Sequence, residues 1–126
     1  TCALPIFGYL VEGSLCAGDA IFMPDAGTGR CDFPGGSADD LYHSIHEKIY
    51  SLPEEIKIYV GHDYQPGGRP LKFLTTVGEQ KKSNIHLRNE TAREAFVDFR
   101  TARDKTLSPP KLIMPSLQAN IVGGRI

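Results

Sequence analysis

The stretch GDAIFMPDAGTGRCDFPGG, residues 18–36, joins a strand-like apolar run to a loop rich in glycine and proline. So many turn-forming residues exclude a helix, and loops held by a rigid scaffold often carry functional groups. Asp32 stands in this loop between Cys31 and Phe33. We therefore take its carboxylate as a candidate metal ligand, while capping of a turn remains the structural alternative.

The segments on either side of that loop predict strands and one amphipathic helix. Residues 7–13 and 15–22 have the β-type runs and the turn of a hairpin, and residues 56–60 form a further strand. Ser37 is a suitable N-cap for a helix that ends near Pro53. Its apolar face is predicted to consist of Leu41, Ile45 and Ile49.

The last third of the chain predicts two more helices and an extended tail. A short polar helix is expected over residues 77–84, and a longer one, capped by Asn89 or Thr91, through Leu107. The inward residues of the longer helix are predicted to be Ala95, Phe96, Phe99 and Ala102. The apolar tail from Lys111 onward is expected to be extended. This order of elements predicts an α/β fold with α+β layers.

Composition narrows the class of protein. The 126 residues carry a formal net charge of −1 without a basic run, which argues against a nucleic-acid partner. No apolar stretch is long enough to cross a bilayer, so no membrane partner is expected. The three cysteines contain no C-x-x-C pair and indicate neither a disulfide framework nor a zinc knuckle. A reducing cytoplasm is the expected compartment.

Histidines and one cysteine are the remaining residues with reactive side chains. His62 follows the strand over residues 56–60, and strand ends suit ligands, although a hydrogen bond to backbone is the alternative. His43 and His46 flank the apolar face of their helix and are predicted to be surface or boundary residues. We assign His86 no functional role, and we expect Cys31 to be a small buried residue rather than a nucleophile.

Five motifs, taken in order, are far more specific than any single residue. They are the GDAIF to FPGG stretch, LYHSIHEKIYSLP, IYVGHDYQPGGRP, TTVGEQKKSN and MPSLQANIVGG. From Gly8 onward the chain resembles the metallo-β-lactamase-fold persulfide dioxygenases, and most closely their β-lactamase-hydrolase-like branch. The resemblance implies that the chain forms the C-terminal half of an αββα sandwich.

The resemblance also implies a site. Such enzymes bind one ferrous iron through two histidines and an aspartate, and they oxidise glutathione persulfide with O2 to sulfite and glutathione. By this resemblance Asp32, in RCDF, is the metal ligand, and His62, in GHDY, is a catalytic residue that lines the site without binding iron. Tyr64, Arg30 and Arg69 are candidates to bind the substrate, the two arginines by location only.

The boundaries of the chain carry a further expectation. The histidine ligands of the resembling family lie upstream of every motif present here. Residues 1–6, TCALPI, match a translation of ACG TGT GCT CTT CCG ATC, which resembles a sequencing adapter. We therefore expect residues 1–6 to be non-native, residues 7–126 to form a partial domain, and the isolated chain to be inactive and aggregation-prone. A homodimer remains an open alternative.

Two other functions remain open at this point. One is a dinuclear zinc thioester hydrolase of the glyoxalase II kind, in which Asp32 bridges two zinc ions and water is the nucleophile. The other is a non-catalytic partial reading frame.

Overall fold

A four-stranded sheet forms the centre of the fold, in a computed structural model that describes residues 8–124. The strands are β1 (Tyr9–Val11), β2 (Ser14–Gly18), β3 (Lys57–Val60) and β4 (Leu74–Thr76), in that spatial order. β1 and β2 pair as an antiparallel hairpin, β2 and β3 are parallel, and β4 is antiparallel to β3. The carboxyl ends of β2 and β3 therefore meet at one edge of the sheet.

The predicted hairpin is confirmed, but its second strand is shorter than expected. β2 ends at Gly18, whose positive φ of 55° turns the chain away from the sheet. Of the residues that the prediction placed in this strand after Gly18, only Ile21 pairs, in an isolated bridge with Thr28. Residues 1–6 and Phe7, which begins the predicted hairpin, lie outside the described residues.

The helix predicted after the loop is confirmed. α1 (Ala38–Ser44) continues into a π-helical turn over Ile45–Ile49, and Ser37 caps it by accepting a hydrogen bond from a first-turn amide. Leu41 and Ile45 are completely buried. Four-residue spacing thus identified the face that packs on the sheet.

α2 (Val77–Ser83) agrees with the predicted short helix. β4 leads directly into it and was not predicted, because its three residues are recognisable as a strand only through their pairing with β3. α3 (Arg93–Lys105) begins after Ala92, so the predicted caps Asn89 and Thr91 do not start it.

The inward face of α3 differs from the prediction. Phe96 is buried as expected, but Ala95, Phe99 and Ala102 are exposed. The positions that face inward together with Phe96 are Arg100 and Asp104. These two charged residues are four apart on one helix face, and they can be buried because they pair with each other.

The prediction of an extended tail was wrong. Ile113–Ile121 form a helix, α4, in which Pro115 lies in the first turn, where its missing amide hydrogen costs no intrahelical bond. None of the residues of α4 is buried, and Met114, Leu117 and Ile121 are exposed. Arg125 and Ile126 lie outside the described residues.

The helices cover one face of the sheet. The alternate strand residues Leu15, Ala17 and Ile58 are buried there against side chains from the helices. The completely or almost completely buried apolar residues outside the strands include Ile21, Leu41, Ile45, Val77, Leu87 and Phe96. Cys16, Tyr59 and Leu74 project from the other face and are exposed. This layering confirms the predicted α/β class.

Within residues 8–124, no helix combines the length and the apolar character needed to cross a membrane.

Candidate functional site

An aspartate and a histidine meet where the two parallel strands end. Asp19 follows the last residue of β2, and His62 lies two residues after the end of β3. Their side chains are 2.6 Å apart, between His62 Nδ1 and Asp19 Oδ1, and each is 60% exposed. Because a carboxylate can only accept a hydrogen bond, Nδ1 carries the hydrogen and Nε2 is left as the acceptor of the ring.

Two glycines bring this pair together. Gly61 donates its backbone amide hydrogen to the carbonyl oxygen of Gly18 at 3.0 Å, which joins the two strand ends. A Cβ added to Gly61 would lie 2.8 Å from Asp19 Oδ1. The absence of a side chain therefore allows the Asp19 carboxylate to reach His62.

Asp32, the carboxylate singled out in the sequence, does not lie beside His62. Nε and Nη2 of Arg30 hold its two oxygens at 2.7 Å each, and Arg30 also donates to the carbonyl oxygen of Ser108. The hydrogen bond from Arg30 holds the pKa of Asp32 below its ordinary value. The structure thus gives Asp32 a role in fastening the loop to the segment after α3, and places Asp19 beside His62.

Tyr64 connects His62 to a cavity. Its ring stacks on the imidazole of His62, with centroids 6.1 Å apart, and its edge meets the ring of Phe22 at 5.2 Å. Tyr64 is 67% exposed, so its hydroxyl is accessible to a small molecule. Its predicted place in a substrate site is compatible with this geometry.

The cavity has a volume of about 840 Å³. Asp19, Tyr64 and Arg30 line it, whereas His62, Asp32 and Arg69 do not. Its other walls are contributed by Gly18, Ala20, Phe22, Asp25, Ala26, Thr28, Gly29, Phe33, Pro66, His86, Arg100, Arg103, Leu107 and Pro110. A pocket of this size and mixed polarity suits a small-molecule ligand.

Arg69, predicted to bind substrate, is occupied by two carboxylates. It donates to both oxygens of Asp25 and to both oxygens of Asp63, the latter at 2.7 and 2.8 Å. Hydrogen bonds from Arg69 hold the pKa of Asp63 far below its ordinary value. Because Asp63 lies between His62 and Tyr64, this clamp fixes the loop that carries them.

Cys31 is buried, as predicted, and unsuited to nucleophilic attack. Burial raises the pKa of the Cys31 thiol to about 12, together with the negative charge of Asp104 and the hydrogen bond that the thiol donates to the Asp104 carboxylate. Asp104 also accepts the backbone amide hydrogen of Cys31 at 2.9 Å, and Arg100 holds the same carboxylate at 2.6 Å. This buried network anchors the loop on α3.

His43 and His46 lie at or near the surface, as predicted. His43 is exposed and bonds Glu47 at 2.9 Å, whereas His46 is partly buried and stacks on Tyr42.

His86 has a place in the cavity wall that the sequence did not suggest. Its Nδ1 accepts the backbone amide hydrogen of Thr28 at 2.9 Å. A local sequence pattern could not predict this contact, because His86 and Thr28 are 58 positions apart in the chain.

Asp19 and His62 are ligand types that could form part of a metal centre. Asp19 offers a carboxylate oxygen and His62 an imidazole nitrogen, ligand types that iron and zinc both accept. Among residues 8–124, however, no group of three or more His, Cys, Asp or Glu side chains could hold a metal ion. The two residues therefore fit a metal, but a full ligand set needs further donors.

One sequence signal could have identified Asp19. Both central strands are followed by a glycine and then a polar candidate, as AGDA after β2 and VGHD after β3. Ligands gather at the carboxyl ends of parallel strands. The continuous apolar run AIF after Asp19 concealed the end of the strand.

Comparisons with known proteins identify several relatives of this chain. No protein-family model matches the chain. It is 48% identical over 118 residues to glyoxylase B2 of Dictyostelium discoideum, a match that covers 94% of this chain and 40% of that protein. It is 53% identical over 118 residues to the β-lactamase hydrolase-like protein of Agrobacterium fabrum, a match that covers 94% of this chain and 27% of that protein. It is also 53% identical over 70 residues to the mitochondrial persulfide dioxygenase ETHE1 of Homo sapiens, which covers 56% of this chain and 25% of that protein.

Solved structures show the same relationship. ETHE1 from Myxococcus xanthus matches with a TM-score of 0.80 and 32% identity over 94% of this chain and 48% of that one. A metallo-β-lactamase from Staphylococcus aureus matches with a TM-score of 0.67 and 27% identity, over 85% and 30%. The chain thus spans about a quarter to a half of the proteins it matches. It is therefore related in sequence to the β-lactamase hydrolase-like and ETHE1 proteins, and its α/β fold is similar to the matched parts of ETHE1 and of a metallo-β-lactamase.

Proposed function

We propose that this chain supplies the Asp19 and His62 side of a metal centre in an enzyme that oxidises a thiol persulfide, such as glutathione persulfide, with O2. The observation that carries the proposal is the 2.6 Å contact between these side chains at the ends of two adjacent parallel strands. The name of the human relative, persulfide dioxygenase, supports the reaction.

Asp19 rather than Asp32 is the metal ligand in this proposal. The Asp19 carboxylate is open to solvent, whereas both oxygens of Asp32 are held by Arg30. A ferrous ion held in part by Asp19 would supply the redox chemistry that transfers oxygen to sulfur. The assignment of Asp32, made from the resemblance, stays a prediction that the geometry does not favour.

The other residues of the proposed site bind the substrate or hold the loop that carries the binding residues. His62 is held through Nδ1 by Asp19, so Nε2 can accept a hydrogen bond or a proton at the open edge. Tyr64 lies between this edge and the cavity, where its hydroxyl can donate to a substrate. Arg69 acts indirectly, because its clamp on Asp63 fixes the loop that carries both residues.

The overall reaction balances with water as the third reactant. A persulfide R–SSH, O2 and H2O give the thiol R–SH, sulfite and two protons. The isolated chain is not expected to sustain this reaction, because Asp19 and His62 are too few donors to retain a metal against water.

A dinuclear zinc thioester hydrolase is the second candidate, and the match to a protein named glyoxylase B2 favours it. In that case Asp19 and His62 would each contact zinc, and water would be the nucleophile.

Metal analysis of an intact relative separates the two reactions. In the Agrobacterium relative, the proposal expects one iron per metallo-β-lactamase domain and persulfide-dependent oxygen uptake. Asparagine at the position aligned with Asp19 should abolish both, and asparagine at the position aligned with Asp32 should leave the iron in place. Two zinc ions with thioester hydrolysis would favour the second candidate instead.

A further inference from the structure

Two buried amide side chains, Gln80 and Asn84, hold the loop that begins at Phe22. They are four residues apart, Gln80 within α2 and Asn84 at its carboxyl end, and both are completely buried. Gln80 Nε2 donates to the carbonyl oxygen of Phe22 at 2.7 Å, and Asn84 Nδ2 donates to that of Gly27 at 3.2 Å. The backbone amide of Phe22 also donates to the carbonyl oxygen of Gly27, at 2.9 Å. The loop of residues 22–27 is therefore closed on itself and is held at both ends from inside the core.

The neighbouring backbone groups fix the direction in which both amides point. Asn84 Oδ1 accepts the backbone amide hydrogens of His86 and Leu87, at 2.9 and 3.0 Å. Nδ2 of Asn84 therefore faces the loop, and it also donates to Gln80 Oε1 at 2.8 Å. Because Oε1 accepts this bond, Gln80 presents Nε2 to the carbonyl oxygen of Phe22. A hydrocarbon side chain at position 80 would leave that carbonyl oxygen without this donor.

Phe22 connects the buried amides to the candidate site. Its ring is in edge contact with that of Tyr64, and Tyr64 in turn stacks on His62. Phe22 is buried, whereas Tyr64 and the side chain of His62 are mostly exposed. Holding an exposed side chain in one orientation costs conformational entropy, so the position of Tyr64 depends on a fixed neighbour. Of the two rings that contact Tyr64, Phe22 is the one that is fixed in the core.

We propose that Gln80, together with Asn84, is a positioning residue of the candidate site, which holds Phe22 where its ring orients Tyr64 against His62. Both amides are buried and act only through Phe22. The inference rests on the proposed function in one respect, that Tyr64 and His62 belong to the substrate site. If the amides served stability alone, their removal would lower the free energy of unfolding but leave the ring contacts of the folded chain unchanged.

The test compares these ring contacts in the folded 126-residue chain by NMR, without any metal. Nuclear Overhauser effects between the rings of Phe22 and Tyr64, and between those of Tyr64 and His62, are measured against a fixed distance within the Tyr64 ring. Gln80→Met keeps a long unbranched side chain but cannot donate to the carbonyl oxygen of Phe22. We expect Gln80→Met to weaken both effects severalfold in the signals of the folded state.

Val77→Ala is the matched control, because Val77 is a completely buried residue of the same helix whose side chain forms no hydrogen bonds. The loss of packing should destabilise the chain but leave both ring contacts unchanged. Gln80→Glu is the conservative variant. At about pH 5, burial favours its neutral acid, which can donate to the carbonyl oxygen of Phe22 and accept from Asn84. This variant should therefore keep most of the contact between Phe22 and Tyr64.

The inference is overturned if Gln80→Met keeps the ring contacts of wild type, if Val77→Ala loses them equally, or if Gln80→Glu is no better than Gln80→Met. Phe22→Leu tests the second step even if Gln80→Met does not fold, because it removes the ring and keeps an apolar side chain. It should weaken the effect between Tyr64 and His62 severalfold. An unchanged effect would also overturn the inference.

Asp19→Asn separates this inference from the proposed function, because the ring contacts are measured without metal or turnover. It should leave the contact between Phe22 and Tyr64 intact while removing metal binding. Ring contacts that depend on Gln80, together with metal binding that ignores Asp19, would leave the positioning role standing and refute the metal assignment.

Discussion

Removing Arg100 should destabilise the chain strongly, because Asp104 would be left as a buried and unpaired carboxylate. Both side chains of the pair are 4% exposed, with contacts of 2.6 and 2.9 Å, and Arg100 also donates to the carbonyl oxygen of Thr28 at 3.0 Å. Breaking a buried pair by removing one partner costs about 3–5 kcal/mol. We therefore expect Arg100→Met to lower the free energy of unfolding by about that amount.

Urea unfolding followed by circular dichroism measures this loss. Lys105→Met, an exposed change on the same helix, should stay within about 0.5 kcal/mol of wild type. The double variant Arg100→Met/Asp104→Leu removes both charges and should recover much of the loss. A deficit of about 1–3 kcal/mol should remain, because the Cys31 amide loses its acceptor. An Arg100→Met variant as stable as wild type, or a double variant no better than the single one, would refute the reasoning.

Three further predictions concern the loop and the cavity wall. The pKa of His86 is lowered from 6.5 to about 4, so between these values the unfolded chain binds a proton that the folded chain does not. The free energy of unfolding should therefore be highest above about pH 6.5 and should decrease toward pH 4. Urea unfolding of His86→Asn should show a flatter dependence on pH. Gly27→Ala should lower the unfolding free energy by about 2–4 kcal/mol, because the added Cβ clashes with His86 and the residue keeps a strained positive φ. Gly67→Ala is the control: its φ is also positive, but no atom lies within 4 Å of the added Cβ, so it should cost about 1–2 kcal/mol in the same unfolding assay. Cys31, as a buried thiol of raised pKa, should react with iodoacetamide far more slowly than exposed Cys16 in peptide mapping; equal rates would contradict the buried network.

Local patterns predicted those parts of the fold that local forces determine. The Ser37 cap and the four-residue spacing of Leu41 and Ile45 are confirmed, because a cap and an apolar face are properties of one continuous segment. β4 and the inward face of α3 escaped prediction, because each depends on a partner. Charged residues are expected outside, and only the pairing of Arg100 with Asp104 permits their burial.

The candidate site depends on distant contacts in the same way. His62 stands directly after a recognisable strand, and the structure places it beside the carboxylate of Asp19 and the ring of Tyr64, while its catalytic role stays a prediction. Asp19 was missed because the apolar residues that follow it resemble a continuing strand, whereas the turn at Gly18 becomes evident only in the folded chain. The contacts of Arg69 with Asp25 and of His86 with Thr28 could not be predicted from sequence, since these partners are 44 and 58 positions away in the chain.

The most direct test locates the position at which a paramagnetic metal binds, because line broadening also reports the weak and transient binding that two donors alone allow. Isotope-labelled chain would be titrated with Mn²⁺, and line broadening of backbone amides would be recorded for wild type, Asp19→Asn and Asp32→Asn. If Asp19 is the metal ligand, the amides of Asp19, Gly61 and His62 broaden first, Asp19→Asn abolishes this broadening, and Asp32→Asn does not. Broadening centred on Asp32, or persisting in Asp19→Asn, would contradict this assignment.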